Sequence, residues 1–417
     1  MNAIGIVAEY NPFHTGHGYQ IAASRAALGE ERPVVAVMSG NWVQQADCAI
    51  ADKWTRARLA LMGGADLVLE LPTVWATSSA EKFAQGAVEI LSASGVVDRL
   101  SFGSEDGDVD KLSRTAAWLD KPDYHSAVSK LAVEGLPFAV CRQRAVEQLA
   151  GAEVGAVLAR PNNNLGVEYI RALNALHSPI TPMTVQRKGA DHNGFFGILS
   201  PTPEQARALM PDHLSATEIR DSLLAGKWDL MEHYLVPGGR KILENNLIGL
   251  PQLAQVGRAM LAKVRTMTAE DWGKLPDSGT AEGLPQRLER AGRECRDMDD
   301  FFNLARTKRY THARLDRLVL WAYLGITRED RPDHVPYIRV LGFNGRGREL
   351  LKEMKKTAQL PVITKPAHAR KLDGAGWKLF ELERRCTDLY DLCFEHVPAP
   401  GREWTTDVVM VGGEGNV

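Results

Sequence analysis

Short apolar runs alternate with stretches of helical spacing along the first quarter of the chain. The runs that indicate buried strands are Ala3–Glu9, Pro33–Met38, Leu67–Leu71 and Arg99–Phe102. Helical composition separates them over Tyr19–Leu28, Ile50–Met62 and Ala80–Ser94. Strands and helices that alternate at a period of about thirty residues are typical of βαβ units. This pattern predicts an α/β fold, with a parallel sheet covered by helices on both faces.

The pattern changes further along the chain. The later predictions are a mainly helical stretch from Leu112 to about Leu158, a loop over Pro161–Gly166, a helix over Val167–Leu176 and a strand at Thr184–Arg187. After about Gly238 the strand signals fade and basic helical stretches take over. We therefore expect two domains: an α/β domain over residues 1–238 and a mainly helical, basic domain over residues 239–417.

Composition narrows the classes of protein that remain. The 417 residues include 50 Lys+Arg and 52 Asp+Glu, so a nucleic-acid surface would have to be a local patch. The five cysteines are scattered without a C-x-x-C pair, which argues for a reducing compartment and against a metal site or disulfide framework. The first strand leaves no room for a leader peptide, and no apolar run approaches the ~18 residues of a membrane helix. We expect a cytoplasmic protein that does not bind a membrane.

The turn after the first strand has the most distinctive sequence, Tyr10-Asn11-Pro12-Phe13-His14-Thr15-Gly16-His17. The proline ends the strand, and Gly16 permits a tight turn into the helix that follows. The N–H groups of a first helical turn and the helix dipole favour an anion, and His14 and His17 can donate to phosphate oxygens. Two polar loop histidines are the alternative, but the strand before them and the helix after them favour a phosphate site.

Polar segments also follow the other predicted strands. These segments are Met38-Ser39-Gly40-Asn41, Glu70-Leu71-Pro72 and Gly103-Ser104-Glu105. Because the carboxyl ends of parallel strands meet at one edge of a sheet, the segments should converge with the histidine turn on a single crevice. We expect the active site there.

Two short motifs suggest the chemistry. The chain lacks a P-loop sequence and the first turn lacks G-x-G-x-x-G, which argues against a P-loop enzyme and a dinucleotide oxidoreductase. It carries H-T-G-H at His14–His17 and S-A-T-E-I-R at Ser215–Arg220, although the second motif taken alone is more often a plain helix capping box. Together in one α/β domain they resemble the H-x-G-H and S-x-T-x-x-R signatures of the nucleotidyltransferase superfamily. The resemblance implies a Rossmann-like domain for adenylyl transfer from ATP, with Mg²⁺ on the triphosphate and with Ser215, Thr217 and Arg220 holding the leaving pyrophosphate.

Longer blocks make the resemblance more specific, because in order they span nearly the whole chain and are similar to the tRNA(Met) cytidine acetate ligase family. They are G-I-V-A-E-Y-N-P-F-H-T-G-H at Gly5–His17, V-M-S-G-N-W-V-Q at Val37–Gln44, G-A-D-L-V-L-E-L-P at Gly64–Pro72, F-G-S-E at Phe102–Glu105, P-N-N-N-L-G at Pro161–Gly166, E-G-L-P-Q-R at Glu282–Arg287, T-K-R-Y-T at Thr307–Thr311 and P-Y-I-R-V-L-G-F at Pro336–Phe343. This family activates acetate with ATP to acetyl-adenylate and then acetylates the wobble cytidine of elongator tRNA(Met) to N4-acetylcytidine. The resemblance implies a ligase with ATP, acetate and this tRNA as substrates, and no role for DNA.

The resemblance also implies an ATP site, residue by residue. In and around the first turn, the residues that the resemblance assigns to this site are Val7, Ala8, Glu9, Tyr10, Asn11, Pro12, Phe13, His14, Thr15, Gly16, His17, Gly18, Tyr19 and Gln20. In later segments they are Gly103, Asn162, Arg187 and Lys188. The catalytic candidates among them are His14, His17, Asn162 and Arg187. The chain departs from the family at Gln45-Ala46, where Arg-Gly is usual, so a cationic contact expected from that loop is missing.

A basic segment of the second domain is the candidate RNA surface. Its residues are Lys308, Arg309, Tyr310, Arg314 and Arg317. Clustered cations with an aromatic ring are typical of a surface that holds a phosphate backbone and an unstacked base. A solvated helix face is an equally good interpretation of the cluster alone.

Two other functions fit parts of the sequence. An adenylyltransferase that makes a dinucleotide-type cofactor from ATP and a phosphorylated metabolite would use the same histidine motif, but it needs no basic helical domain of this size. An RNA-binding module with a regulatory nucleotide pocket is the third hypothesis. The intact His14, His17 and Arg220 argue against it.

Overall fold

The computed structural model describes residues 2–133, 136–187, 214–245, 249–279, 283–307 and 310–412. The strands in these ranges are β1 Ala3–Ala8, β2 Val34–Ser39, β3 Leu67–Leu71, β4 Val97–Ser104, β5 Thr181–Gln186, β6 Ile338–Phe343, β7 Val362–Ile363 and β8 Val409–Met410.

Helices make up most of the rest of the described chain. In the first half they are α1 Thr15–Leu28, α2 Lys53–Met62, α3 Thr73–Ala76, α4 Ala80–Ser94, α5 Val109–Leu119, α6 Pro122–Val133, α7 Phe138–Ala150, α8 Ala152–Ala156 and α9 Pro161–Ala175. In the second half they are α10 Ala216–Leu224, α11 Trp228–Met231, α12 Gly239–Glu244, α13 Gly257–Thr266, α14 Ala269–Lys274, α15 Leu284–Glu294, α16 Met298–Ala305, α17 His312–Leu324, α18 Gly345–Thr357, α19 Gly374–Asp391 and α20 Arg402–Thr405. None of the helices that the structure describes is long and apolar enough to span a bilayer.

The sheet confirms the predicted α/β architecture. Its strand order is β5-β4-β1-β2-β3-β6-β7, with β8 beside β6. The five strands from β5 to β3 are parallel, and β6 runs antiparallel to β3. The chain moves from β1 to β2 and β3 on one side, and then returns to place β4 on the other side of β1. Because strand order reverses between β1 and β4, a crevice forms at their carboxyl ends.

The central strands are buried on both faces, which is why their sequences are continuous apolar runs. In β2, Val35 and Val37 belong to one cluster of buried side chains, whereas Val34, Ala36 and Met38 belong to a second cluster. Successive side chains of a strand point to opposite faces, so the two clusters are the cores above and below the sheet. The helices on each face complete a three-layer structure.

Several predicted boundaries match the structure and others move. The prediction of β3 at Leu67–Leu71 and of a helix at Ala80–Ser94 is confirmed. The first helix begins at Thr15, earlier than predicted, because the His14 side chain caps it. The second helix begins at Lys53 and not at Ile50, because the Asp52 carboxylate caps it.

The segment Pro161–Gly166 was expected to be a loop, and that prediction is wrong. It forms the first turn of α9, with Pro161 at the first helical position. Proline is well tolerated there because the N–H group it lacks has no partner inside the helix. The three asparagines that suggested a loop lie instead in the helix N-terminus, where the backbone N–H groups of Asn162 and Asn163 donate to the Glu105 carboxylate.

The expectation that strands end near Gly238 is also wrong. β6 pairs with β3, so a segment from the last fifth of the chain lies in the same sheet as the first strands. The apolar run that forms β6 is short and lies between helices. A short apolar run cannot be assigned to a strand from its pattern alone, so the sequence pattern does not predict β6. The division into domains at residue 238 stays a prediction.

A buried ionic cluster joins the end of β3 to the C-terminal helices. The Lys53 ammonium group lies 2.6 Å from Glu70 Oε1 and 2.6 Å from Glu403 Oε2, and all three side chains are nearly inaccessible to solvent. These pairs hold the Lys53 ammonium group in the protein interior. A buried charge is tolerated only where a partner compensates the lost hydration, and Lys53 has two.

Glu383 lies in the same region, and the environment of its carboxyl group predicts that the stability of the fold depends on pH. Its carboxyl group is 2% exposed and accepts 2.7 Å hydrogen bonds from the N–H and hydroxyl groups of Thr73. Burial, together with the nearby Glu70 carboxylate, raises the pKa of Glu383 to about 8. An unfolded glutamate has a pKa of about 4.3, so above that pH the folded chain holds a proton that the unfolded chain has lost.

The free energy of unfolding should therefore fall as the pH rises towards about 8, because the unfolded chain binds fewer protons. We expect the melting temperature of the protein to decrease between about pH 5 and pH 9, and the decrease to be smaller in Glu383→Gln, which carries a neutral side chain at every pH. Thermal unfolding followed by circular dichroism across this range measures both curves. Parallel curves for the two proteins would show that Glu383 does not titrate in this way.

Candidate functional site

The turn between β1 and α1 places two imidazoles against each other. His14 Nδ1 accepts a 3.1 Å hydrogen bond from the N–H group of Gly16, and His17 Nδ1 accepts a 3.2 Å bond from the N–H group of His14. The two rings lie 3.9 Å apart between centroids. Because each Nδ1 is an acceptor, the proton of each neutral imidazole is assigned to Nε2. Both histidines thus act as helix caps and keep Nε2–H as a donor.

Aromatic packing and burial set the charge state of His17. Its ring packs edge-on against Tyr10 at 4.9 Å and lies 5.4 Å from the ring of Phe13. Burial lowers the pKa of His17 well below its ordinary value, and the neighbouring His14 and Arg187 lower it further. His17 is therefore neutral at physiological pH and can donate one hydrogen bond without carrying a charge.

The late helix α10 returns to this turn. One amino group of Arg220 donates to the carbonyl oxygen of Asn11 at 3.0 Å, and another donates to the Thr217 hydroxyl at 3.0 Å. Ser215 forms a capping box with Glu218, so the capping function that the sequence left open is present. The two motifs that lie about two hundred residues apart in the sequence meet at the carboxyl end of β1, as the crevice prediction requires.

The end of β4 forms the second wall of the crevice. A side chain on Gly103 would lie 3.3 Å from Cγ of Arg187, so glycine leaves room for that side chain. Arg187 donates from its backbone to the Ser104 carbonyl at 2.9 Å and from its guanidinium group to Asn162 Oδ1 at 3.3 Å. The electrostatic effect of Arg187 on His17 connects this wall to the histidine turn.

Glu105 holds the asparagines in place. Its carboxylate accepts hydrogen bonds from the backbone and side chain of Asn162, at 3.1 and 2.8 Å, and from the backbone of Asn163 at 2.7 Å. Burial raises the pKa of Glu105, but these hydrogen bonds outweigh it, so the pKa lies below its ordinary value. A carboxylate at a helix N-terminus is favourable. The sequence placed Glu105 at the crevice but gave it no role. The F-G-S-E block that contains Glu105 was the feature that could have indicated one.

Glu9 ties the loop after β2 to the site. Its carboxylate accepts a 2.8 Å hydrogen bond from the N–H group of Gln44. Burial raises the pKa of Glu9, while that hydrogen bond and the nearby Arg220 and Arg56 guanidinium groups oppose the increase. In the same loop Ala46 has a φ of 62°, which lies in the left-handed region that favours glycine. Glycine is the residue that the family resemblance predicts at this position.

The remaining predicted ATP-site residues are distributed as follows. Val7 and Ala8 end β1, and Thr15, Gly18, Tyr19 and Gln20 lie in α1. Gln20 donates to the Ser101 carbonyl at 3.1 Å, which links α1 to β4. Pro12 follows a cis peptide bond in the turn. Lys188 lies outside the described residues. The structure thus brings together the described members of the set around one crevice.

The candidate RNA residues are less uniform than the sequence suggested. Lys308 and Arg309 lie outside the described residues. The guanidinium group of Arg314 lies 5.5 Å from the buried Tyr310 ring and donates to the carbonyl oxygen of Asp277 at 2.9 and 3.1 Å. Arg317 is partly buried, and burial lowers its pKa. The candidate RNA surface is therefore not fully exposed, since Arg317 turns towards the interior.

The chain is similar to known proteins over nearly its whole length. A family model described as HIGH Nucleotidyl Transferase matches residues 1–402. The chain is 37% identical over 408 residues to the tRNA(Met) cytidine acetate ligase of Caldanaerobacter subterraneus, covering 95% of this chain and 96% of that protein. It is 34% identical over 426 residues to the tRNA(Met) cytidine acetate ligase of a Thermoanaerobacter species, covering 99% of this chain and 100% of that protein.

The fold is also similar to solved structures. The crystal structure of Thermotoga maritima TmcAL bound with alpha-thio ATP superposes with a TM-score of 0.87 at 31% identity, covering 99% of this chain and 100% of that one. The apo form of the same protein superposes with a TM-score of 0.88 over the same shares of the two chains.

Proposed function

The chain belongs to the tRNA(Met) cytidine acetate ligase family of HIGH nucleotidyl transferases, and from this premise we propose how its own residues carry out the reaction. ATP and acetate form acetyl-adenylate, and the acetyl group then passes to the exocyclic amine of the wobble cytidine in elongator tRNA(Met). The observation that carries the proposal is the hydrogen bond between Arg220 and Asn11, because it joins both nucleotidyltransferase motifs in one crevice. ATP and tRNA are cytoplasmic substrates, so the cytoplasm is the proposed location.

In the first step an acetate oxygen attacks the α-phosphorus of ATP. The bond to the bridging oxygen breaks, and pyrophosphate leaves with the electron pair. The Nε2–H groups of His14 and His17 and the N-terminus of α1 stabilise the negative charge that develops on the phosphates. Arg220 and Thr217, supported by the helix that Ser215 caps, hold the pyrophosphate. Such a reaction requires positioning and charge neutralisation more than a protein nucleophile.

Magnesium would accompany the triphosphate. Among the described residues no group of three or more His, Cys, Asp or Glu side chains is arranged to hold a metal ion. The imidazole donors of the turn fit phosphate oxygens and leave the ion to phosphate and water ligands, as is common for Mg²⁺. When bound, the ion would neutralise phosphate charge.

The adenosine end of ATP would lie along the second wall. Gly103 permits close approach of the nucleoside to the backbone of β4. Asn162 is oriented by Glu105 on one side and by Arg187 on the other, so its amide is held in one orientation for hydrogen bonding. Arg187 and Lys188 supply positive charge near the phosphates. Asn162 and Arg187 therefore act by positioning the nucleotide.

In the second step the amine of the cytidine attacks the acetyl carbonyl carbon. The carbon–nitrogen bond forms, the bond to the adenylate oxygen breaks, AMP leaves and the amine loses one proton. The proposed RNA contacts are Lys308, Arg309 and Arg314, since Tyr310 is buried and Arg317 is partly buried. A cytidine in an anticodon loop is already unpaired, so presenting its amine requires little unstacking.

The function is tested by incubating the protein with ATP, Mg²⁺ and isotope-labelled acetate, with and without unmodified elongator tRNA(Met). Labelled N4-acetylcytidine should appear after nuclease digestion and mass spectrometry only when all components are present. A tRNA carrying uridine at the wobble position is the matched control. Consumption of ATP with phosphorylated metabolites, and no acetylcytidine, would contradict the proposal and favour a cofactor adenylyltransferase.

A further inference from the structure

A cavity of about 320 Å³ lies between the loop after β2 and the helices of the second half of the chain. Gln45, Ala46 and Asp47 form one wall, and α13, α16 and α17 form the others. Most of the lining is apolar. Asp47 and Asp316 are the acidic residues of the lining.

This cavity lies next to the proposed ATP crevice. The loop that forms its wall is held to the site by the hydrogen bond from Gln44 to Glu9. Asp47 is close enough to Arg220 for that guanidinium group to lower the pKa of its carboxyl group, and Arg220 in turn contacts Asn11. A group bound in the cavity would therefore lie between the histidine turn and the basic helices.

The chemistry of the lining is selective. Met260, Met298 and Phe302 offer polarisable, apolar surface against which a planar ring can pack. Burial raises the pKa of both Asp47 and Asp316, against the opposing effect of nearby basic side chains. A partly desolvated carboxylate accepts a hydrogen bond from an amine with a larger gain than one in water.

We propose that this cavity receives the target cytosine base, with Asp316 accepting a hydrogen bond from its exocyclic amine. The inference rests on the proposed function and adds a base-recognition site to it. Carboxylates are the typical acceptors for the N4 amine of cytosine. Uracil has a carbonyl oxygen at that position, so it would leave the Asp316 carboxylate without a donor. The volume of about 320 Å³ has room for a single base.

Gly257, the first residue of α13, allows the cavity to be filled without disturbing the core. It lines the cavity, and a Cβ atom there would meet no atom within 4 Å. Gly257→Ala therefore adds a methyl group at no steric cost, whereas Gly257→Trp adds an indole ring at the cavity wall. The pair of variants separates the effect of losing glycine from the effect of filling the space.

We expect Gly257→Trp to lower kcat/KM for tRNA acetylation by at least about tenfold, because the base no longer fits. Acetate-dependent ATP–pyrophosphate exchange, which reports adenylate formation alone, should be unchanged in this variant. Gly257→Ala should resemble the original protein in both assays. Equal tRNA acetylation by Gly257→Trp and the original protein would overturn the inference while leaving the proposed function intact.

A binding measurement decides the question even if no acetylation occurs. The probes are two anticodon stem-loop RNAs that differ only in cytosine or uracil at the wobble position. The original protein should prefer cytosine by about tenfold, and both Gly257→Trp and Asp316→Asn should lose this preference. The absence of any preference in the original protein would overturn the inference. A preference together with no acetylcytidine would keep the cavity assignment and reject the proposed reaction.

Discussion

Replacing His14 or His17 by alanine is expected to lower acetate-dependent ATP–pyrophosphate exchange by about 100-fold or more. Each substitution removes an Nε2–H donor that would stabilise charge on the phosphates in the transition state. The affinity for tRNA should be unchanged, because neither histidine lies among the proposed RNA contacts. Exchange of labelled pyrophosphate into ATP measures the first effect, and filter binding of elongator tRNA(Met) measures the second.

The histidines also cap α1, so their loss has a structural component that needs a control. His14 Nδ1 accepts the hydrogen bond from Gly16, and replacing such a cap by alanine typically costs about 1 kcal/mol. His14→Asn provides an oxygen acceptor for the same N–H group but has no Nε2 donor. We expect this variant to be as stable as the original protein and still inactive in pyrophosphate exchange. Restored exchange in His14→Asn would mean that His14 acts only as a helix cap.

The second large effect concerns stability. Lys53→Met is expected to lower the free energy of unfolding by about 3–5 kcal/mol, the range found when one partner of a buried ion pair is removed. The substitution leaves the Glu70 and Glu403 carboxylates, which are 2% and 1% exposed, without their shared cation. Burial lowers the pKa of Lys53, but Glu403 and Glu70 outweigh it, so the ammonium group is charged in the folded protein.

Urea unfolding of Lys53→Met measures this loss directly. Lys274→Met is the matched control, because it removes an ion pair with Glu270 in which both side chains are largely exposed, and we expect no measurable change there. Adding Glu70→Gln to Lys53→Met should recover part of the stability, since one uncompensated carboxylate disappears. An unchanged unfolding midpoint for Lys53→Met would show that the cluster is not ionised as described.

The local parts of this fold were predictable. Leu67–Leu71 and Ala80–Ser94 match the predicted elements at both ends, because a fully buried strand leaves a short continuous apolar run and an amphipathic helix leaves a helical period, both in adjacent residues. The histidine turn was also predictable, since strand, turn and capped helix follow one another without interruption. Its main hydrogen bonds join residues two and three positions apart.

The candidate site depends on contacts between residues that lie far apart in the sequence, and patterns of adjacent residues do not predict such contacts. Asn162 was selected by family resemblance alone, and the structure explains it through Glu105, which comes from a different strand end. The same carboxylate explains why the asparagine segment is helical. It accepts hydrogen bonds from backbone N–H groups of the first helical turn, which have no partner inside the helix. Arg220 likewise acquires its role only where α10 returns to the carbonyl oxygen of Asn11.

The parallel α/β core and the imidazole pair at its first turn follow from local sequence, because both depend on residues that are neighbours along the chain. Which charged side chains are buried depends instead on contacts between distant segments. Lys53 lies inside because Glu403, from the far end of the chain, reaches it, and Arg317 is partly buried although the sequence assigned it to a candidate RNA surface. The burial of a charge depends on partners and on displaced water, and these are set by packing between distant segments and not by the order of residues along one element.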